Sequence, residues 1–213
     1  MITVVLVSIS ACASSASSSS VVLVTGFEPF DNYTVNPSGL IAVALNGSVV
    51  ENATIIGIVL PVDFNASIAR TIQAVEQYHP VLVISTGLNA KTHRVNVEKI
   101  SYNLKRYQKP NGLWSFPRRI DTSGPWIRIS PLHTNDIVRN IRAANISVQQ
   151  SFFTGTYVCN SLFYQLMGYV IENQLSLPVG FIHVPLLDTQ DPAGMPLQQM
   201  VDAVHIAVET SLK

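Results

Sequence analysis

The sequence predicts an α/β fold, a single three-layer α/β/α domain with a mostly parallel twisted sheet and helices on both faces. Two observations carry this expectation. Short apolar runs that stop at Gly or Pro (residues 21–25, 55–60, 81–85 and 179–184) alternate along the chain with stretches whose apolar residues recur at helical spacing. A chain of 213 residues that is 47% hydrophobic and 12% charged also has enough apolar material for one sizeable core. Strands that alternate with helices throughout pair in parallel and are covered on both sides.

Residues 1–20 differ from everything after them. Residues 2–9 are a short apolar run, Ala11-Cys12-Ala13 resembles a small-residue cleavage site, and residues 14–20 are a serine-rich spacer. The pattern reads as a secretory signal peptide cleaved near Ala13, followed by its spacer. Ile9-Ser10-Ala11-Cys12 also resembles a bacterial lipobox, which would make Cys12 a lipid carrier. An unprocessed tail is the third reading. Five Asn-x-Ser/Thr sequons, at Asn32, Asn46, Asn52, Asn65 and Asn145, point towards export and glycosylation.

The folded domain is expected over residues 21–213. Residues 21–25 form the first strand and Gly26-Phe27-Glu28-Pro29-Phe30 a turn at its carboxyl end, and Asn36-Pro37-Ser38 opens a helix to about Leu45. Residues 55–60 form the next strand. Asp63 caps a helix over 64–78, whose Ile68, Ile72 and Val75 hold the core face. Residues 81–85 are a buried strand, and residues 94–104 a strand or hairpin with one break in alternation, at Glu98. A carboxylate there is read from its surroundings as a solvated edge charge. Residues 107–130, with three prolines, two glycines and two tryptophans, form a long ordered loop or irregular hairpin. Long loops beside a site often act as lids. A helix marked by Ile137 and Ile141, a strand over 146–153, a helix over 161–175, the strand 179–184 and a last helix over 196–211 complete the chain.

Composition excludes several functions. Thirteen basic residues balance thirteen acidic ones and no basic run exceeds Arg118-Arg119, so a nucleic-acid partner is not expected. No apolar run is long enough for a stable membrane span. No Cys-x-x-Cys or His-Glu-x-x-His spacing points to a metal. The only cysteines are Cys12 and Cys159, in contexts that do not suggest a pair.

Two residue types in one pattern point to chemistry. Thr154-Gly155-Thr156-Tyr157-Val158-Cys159-Asn160 is a small-residue turn between a strand and a helix, so it places a thiol at a helix N-terminus. Unpaired N–H groups and the macrodipole there favour a thiolate and can receive an oxyanion. His183, in Val179-Gly180-Phe181-Ile182-His183-Val184-Pro185, stands at the end of the following strand. Both then face the carboxyl edge of the sheet, where open α/β folds place their sites. A small buried cysteine and a structural histidine remain the plainer alternatives, and spacing alone does not choose between them.

Four segments together resemble the pyroglutamyl-peptidase I family, in order and approximate spacing over about residues 21–212: Gly26-Phe27-Glu28-Pro29-Phe30, Val35-Asn36-Pro37-Ser38, the Cys159 segment and Phe181-Ile182-His183-Val184-Pro185. The resemblance implies a cysteine exopeptidase that removes an N-terminal pyroglutamyl residue from small peptides through a thioester. It makes Cys159 and His183 catalytic and, through Val95-Asn96-Val97-Glu98-Lys99, adds Glu98 as the third member. Phe27 and Phe30 would flank the lactam, Tyr157 would stand beside it, and Asn36 would order the site. No cofactor or metal is implied, and a monomer and a homo-oligomer are both left open.

The chain departs from the family's bacterial pattern where Gly87-Leu88-Asn89-Ala90-Lys91-Thr92 replaces Gly-Gln-Ala-Gly-Gly-Arg. The leader is a further departure, because the family is usually cytoplasmic; a functional leader would make this chain secreted or extracytoplasmic. Two competing readings follow, a secreted peptide-binding homologue without turnover and a thiol hydrolase of another small cyclic amide.

Overall fold

A strand-first domain appears in the computed structural model, which describes residues 20–109 and 112–213; all of the expected leader but Ser20, Cys12 included, lies outside the described residues, and Ser20 belongs to the first strand. The elements are β1 (Ser20–Phe27), α1 (Pro37–Leu45), β2 (Val49–Val50), β3 (Ala53–Leu60), α2 (Ala66–Tyr78), β4 (Leu82–Leu88), β5 (Val95–Glu98), β6 (Ile100–Tyr102), β7 (Ile127–Ile129), α3 (Thr134–Ala143), β8 (Val148–Ser151), α4 (Val158–Glu172), β9 (Val179–Val184) and α5 (Leu197–Leu212). Seven strands form one sheet in the order β2-β3-β1-β4-β9-β5-β8. Its centre is parallel; β2 runs antiparallel to β3, and β5 antiparallel to β9. The separate pair β6-β7 is antiparallel.

The apolar strands are apolar because both faces are covered. On one face α1, α3 and α5 pack Ile41, Ile141 and Val204 against Val22, Ile84 and Ile182. On the other, α2 and α4 pack Ile68, Val75, Leu162 and Phe163 against Leu23, Val83 and Phe181. Close approach of α1 depends on Gly26, where an added Cβ would lie within 1.9 Å of the Ser38 carbonyl oxygen, closer than any relaxation of a side chain could relieve.

Local signals place the helix starts. Asn36 caps α1 through its side chain, with Pro37 at the first helical position. Asp63 accepts from the backbone N–H of Asn65 and of Ala66, both at 2.8 Å, so it serves the first turn of α2 as expected, although the helix begins two residues later than read.

Two expectations change, and the choice between a long loop and an irregular hairpin is decided. The stretch 94–104 breaks at Lys99 rather than Glu98, and its halves join different sheets, because β5 pairs with β9 and β8 while β6 pairs with β7. Strand β8 is shorter than the expected 146–153. Among the described residues the expected loop or hairpin is an irregular hairpin, with bridges Lys105 to Arg118 and Gln108 to Trp114, and it leads into β7, a strand of three residues too short to show periodicity. No helix among the described residues is long and apolar enough to cross a membrane.

Candidate active site

Strand register brings the carboxylate to the imidazole. In the antiparallel β5–β9 pair, Asn96 lies opposite His183 and Glu98 opposite Phe181. Glu98 is therefore diagonal to His183 and shares its face, since side chains two apart point the same way and a long side chain spans the diagonal. The intervening Val97 turns to the opposite core. Glu98 Oε1 and His183 Nδ1 are 2.8 Å apart. Glu98 is 1% and His183 5% exposed, so this pair replaces the solvation both have lost. The solvated-edge reading of Glu98 fails because β8 pairs along the outer side of β5, which makes β5 an interior strand.

The thiol reaches the same place from α4. Cys159 is the second residue of that helix and is half-buried. Its Sγ lies over the backbone of Gly87, where an added Cβ would come within 2.7 Å of the sulfur and 3.0 Å of Phe181 Cζ. Gly87 is the register partner of His183 in the parallel β4–β9 pair. With Nδ1 committed to Glu98, the ring offers Nε2 to the sulfur. Burial works against charge on His183, but hydrogen bonding and charge from Cys159 and from Glu98 outweigh it and push the imidazole up to about 10.

Surrounding polar groups hold these three. Thr154 Oγ1 donates to the Ile100 carbonyl at 2.5 Å and lies 3.5 Å from Glu98 Oε2. Lys99, next to Glu98, donates through Nζ to the carbonyls of Ser130 and Leu132 at 2.8 and 3.1 Å, and through its backbone N–H to Ser151 at 2.7 Å. Asn160 is fully buried; its amide accepts from Tyr102 N and donates to the Tyr102 and Leu104 carbonyls, each at 2.8 Å, which moors the first turn of α4. In that turn Ser161 N bonds back to Tyr157 O, while the N–H groups before it precede the intrahelical ladder.

The expected substrate-side residues divide. Phe27 is buried in the cluster that also holds Phe181 and Val158, with Tyr157, Phe64 and Cys159 packed against it. Phe30 is outside that cluster and packs on Tyr33, ring centroids 5.6 Å apart. Asn36 orders the turn that carries both, donating to Glu28 O at 2.9 Å and accepting from Ser38 Oγ, which itself accepts from Phe27 N. Tyr157 stands between Phe64 and Trp114, with centroids at 5.4 and 5.5 Å and both rings edge-on. Burial and the negative groups near it, Cys159 first, raise the Tyr157 phenol. Leu88, in the departing segment, is a buried strand end paired with Val184.

Sequence reasoning missed Gly87 as the floor beneath the thiol, Thr154 and Asn160 as polar supports, and Phe64 and Trp114 as neighbours of Tyr157. Gly87 and Asn160 carried a local signal, a glycine ending an apolar strand and a buried-type position filled by an amide. Trp114 carried none. Among the described residues no group of three or more His, Cys, Asp or Glu side chains is placed to hold a metal ion.

Known proteins resemble this chain across the whole described domain. The profile of the family described as Pyroglutamyl peptidase matches residues 20–213. The pyrrolidone-carboxylate peptidase of Pseudomonas fluorescens is 36% identical over 197 residues, covering 88% of this chain and 91% of the relative. Pyrrolidone-carboxylate peptidase 1 of Caldanaerobacter subterraneus is 31% identical, over 90% of this chain and 98% of the relative. Among solved structures, the pyrrolidone carboxyl peptidase of Thermococcus litoralis superposes with a TM-score of 0.85 at 28% identity, covering 91% and 93% of the two chains. Pyroglutamyl peptidase I of Bacillus amyloliquefaciens does so with 0.85 at 30% identity, covering 90% and 96%. With one family profile spanning the whole described domain, and relatives above 30% identity across nearly their full length, the chain belongs to the pyroglutamyl peptidase family.

Proposed function

We propose that the protein is a cysteine exopeptidase that removes an N-terminal pyroglutamyl residue from peptides, with Cys159 as nucleophile, His183 as acid and base, and Glu98 as the group that orients the imidazole. The observation that carries this reading is the buried Glu98–His183 hydrogen bond on the face where α4 delivers the Cys159 sulfur. A pyroglutamyl residue has no free amine, so the site needs no anionic grip on an amino terminus. It needs an apolar slot with a few polar partners for the lactam. Phe27 and Tyr157 supply the apolar sides of that slot, Phe30 stands at its outer turn, and Asn36 holds the turn in shape.

In the reaction, the Cys159 sulfur attacks the pyroglutamyl carbonyl carbon and the carbonyl electrons move to oxygen, which the first-turn N–H groups of α4 receive. The C–N bond then breaks as the His183 imidazolium gives its proton to the leaving amine. Water, deprotonated by the now neutral His183, attacks the thioester and releases pyroglutamate, and the sulfur leaves as it began. Glu98 accepts from Nδ1 and stabilises the imidazolium, the part a carboxylate plays in a Ser-His-Asp triad.

The test is hydrolysis of pyroglutamyl, prolyl and alanyl amides of one fluorogenic amine under reducing conditions, by the parent and by Cys159→Ala. The expected result is cleavage of the pyroglutamyl amide alone by the parent, with a loss of at least about 10³-fold in the folded variant. Equal cleavage of the prolyl amide would move the reading to another cyclic amide. Binding of a pyroglutamyl peptide without cleavage would move it to a peptide-binding homologue.

Export is part of the same proposal. It is supported by the apolar leader before Ser20 and by the exposure of all five sequon asparagines. N-terminal sequencing should find a mature start beyond about residue 13, and an endoglycosidase should increase electrophoretic mobility. A retained Met1 with unchanged mobility would contradict it.

A further inference from the structure

The hairpin between β6 and β7 serves no part of the mechanism above, yet it is fastened to the nucleophile's turn. Its base is closed by Asn103, which donates to Asp121 O at 2.7 Å and accepts from Ile120 N and Asp121 N at 2.9 Å. Arg106 then links it to the site. The Arg106 backbone N–H donates to Thr156 O at 2.7 Å, three residues before Cys159. Its Nε donates to Ser115 O at 2.9 Å, and its guanidinium lies over the Trp114 ring, 6.0 Å from the centroid. Trp114 in turn meets Tyr157 edge-on, and Phe64 meets Tyr157 from the β3–α2 connection.

The result is a row of three rings, Phe64, Tyr157 and Trp114, beside the thiol. Its outermost member, Trp114, is 46% exposed. A scissile carbonyl seated on the sulfur cannot send its leaving residue towards the sheet, because the backbone of Gly87 and the ring of Phe181 close that side. The leaving residue therefore passes outward, across the N-terminus of α4, where the hairpin stands. There it meets an indole with free surface, backed by a cation that is itself tied to the turn. Such a surface rewards a flat ring, which stacks or meets it edge-on, more than an aliphatic or small side chain.

Resting on the reaction proposed above, we propose that Trp114 is a specificity-determining residue: it receives the side chain that follows pyroglutamate, and selects peptides with an aromatic residue there. Tyr157 and Phe64 set the position of the indole from inside, and Arg106 sets it from the hairpin.

The experiment measures kcat/KM of the full chain for pyroglutamyl-phenylalanine amide and pyroglutamyl-alanine amide, in the parent, Trp114→Ala, Trp114→Phe and Phe116→Ala. Phe116 is on the same hairpin, is 87% exposed and has no place in the row, so it controls for disturbance of the hairpin. The parent is expected to favour the phenylalanine peptide by about tenfold, the size of a single aromatic contact with its buried area. Trp114→Ala should bring that ratio close to one, Trp114→Phe should restore most of it, and Phe116→Ala should leave it unchanged. An equal fall for both peptides in Trp114→Ala would make Trp114 a support for Tyr157 only and overturn the inference. So would a parent that does not discriminate. A parent that cleaves neither peptide would overturn the reaction class itself, and the inference with it.

Discussion

The two faces of the large sheet are built from different materials. Beneath α1, α3 and α5 the contacts are aliphatic almost throughout, with Val22, Ile41, Ile84, Ile141, Val204 and Val208 fully enclosed. Beneath α2 and α4 the face carries rings, Phe27, Phe163 and Phe181, and ends at His183 and Glu98. One strand serves both: along β9, Ile182 and Val184 turn to the aliphatic side and Phe181 and His183 to the other. Alternation within a strand thus lets a rigid hydrocarbon layer back a layer that holds buried charge. The aliphatic face should set stability without touching chemistry, whereas the aromatic face should set chemistry and, through its buried charge, the pH dependence of stability.

The largest effect that would sharpen this contrast is Glu98→Gln. The amide can still accept from Nδ1 but cannot stabilise the imidazolium, so kcat should fall by on the order of 10²- to 10⁴-fold, and the thermal midpoint should fall as well, because the buried imidazolium loses its counter-charge. Next comes Ile141→Ala on the other face. It should cost about 2–5 kcal/mol in denaturant unfolding and leave kcat per folded molecule unchanged. A kcat change of the size seen for Glu98→Gln would break the separation of roles. A smaller effect is expected from Gly87→Ala, whose methyl must displace the sulfur; kcat should fall by about tenfold or more with only modest loss of stability.

The pH dependence of stability gives the finest discrimination. His183 is raised in the folded state from its ordinary 6.5 to about 10. Its contribution is therefore fully present below 6.5 and is lost as pH rises through about 10. Unfolding free energy should decline across that window in the parent, and His183→Gln should flatten the slope by up to one proton's worth. An unchanged slope would remove the imidazolium from the folded state.

Much of this arrangement was legible in the sequence, because its signals are local. Glycine and proline mark the strand ends, a thiol after a small-residue turn and a histidine at a strand end stand out as candidates, and it is the resemblance of four linked segments to one family that prefers them over the structural reading and adds Glu98. Asn36 and Asp63 announce helix starts through their capping chemistry. What depends on distant neighbours was not legible. Without the resemblance Glu98 reads as an edge charge, because the strand that covers β5 is β8, whose Gln149 and Gln150 give no apolar pattern. The sheet assignments of β5 and β6 depend on a one-residue break at Lys99. Trp114 meets Tyr157 beside the Arg106–Thr156 bond, a contact across fifty residues that no periodicity encodes.

The central claim is that Cys159, His183 and Glu98 act as one coupled unit. The most direct test is to titrate the His183 ring nitrogens by nitrogen-15 NMR in the parent and in Cys159→Ala. The parent should hold both ring nitrogens protonated at about pH 7 and release a proton only as pH approaches about 10. Cys159→Ala should release it at lower pH, because the sulfur's hydrogen bond and charge are gone. A neutral His183 at about pH 7 in the parent, or the same midpoint in both proteins, would contradict the coupled unit.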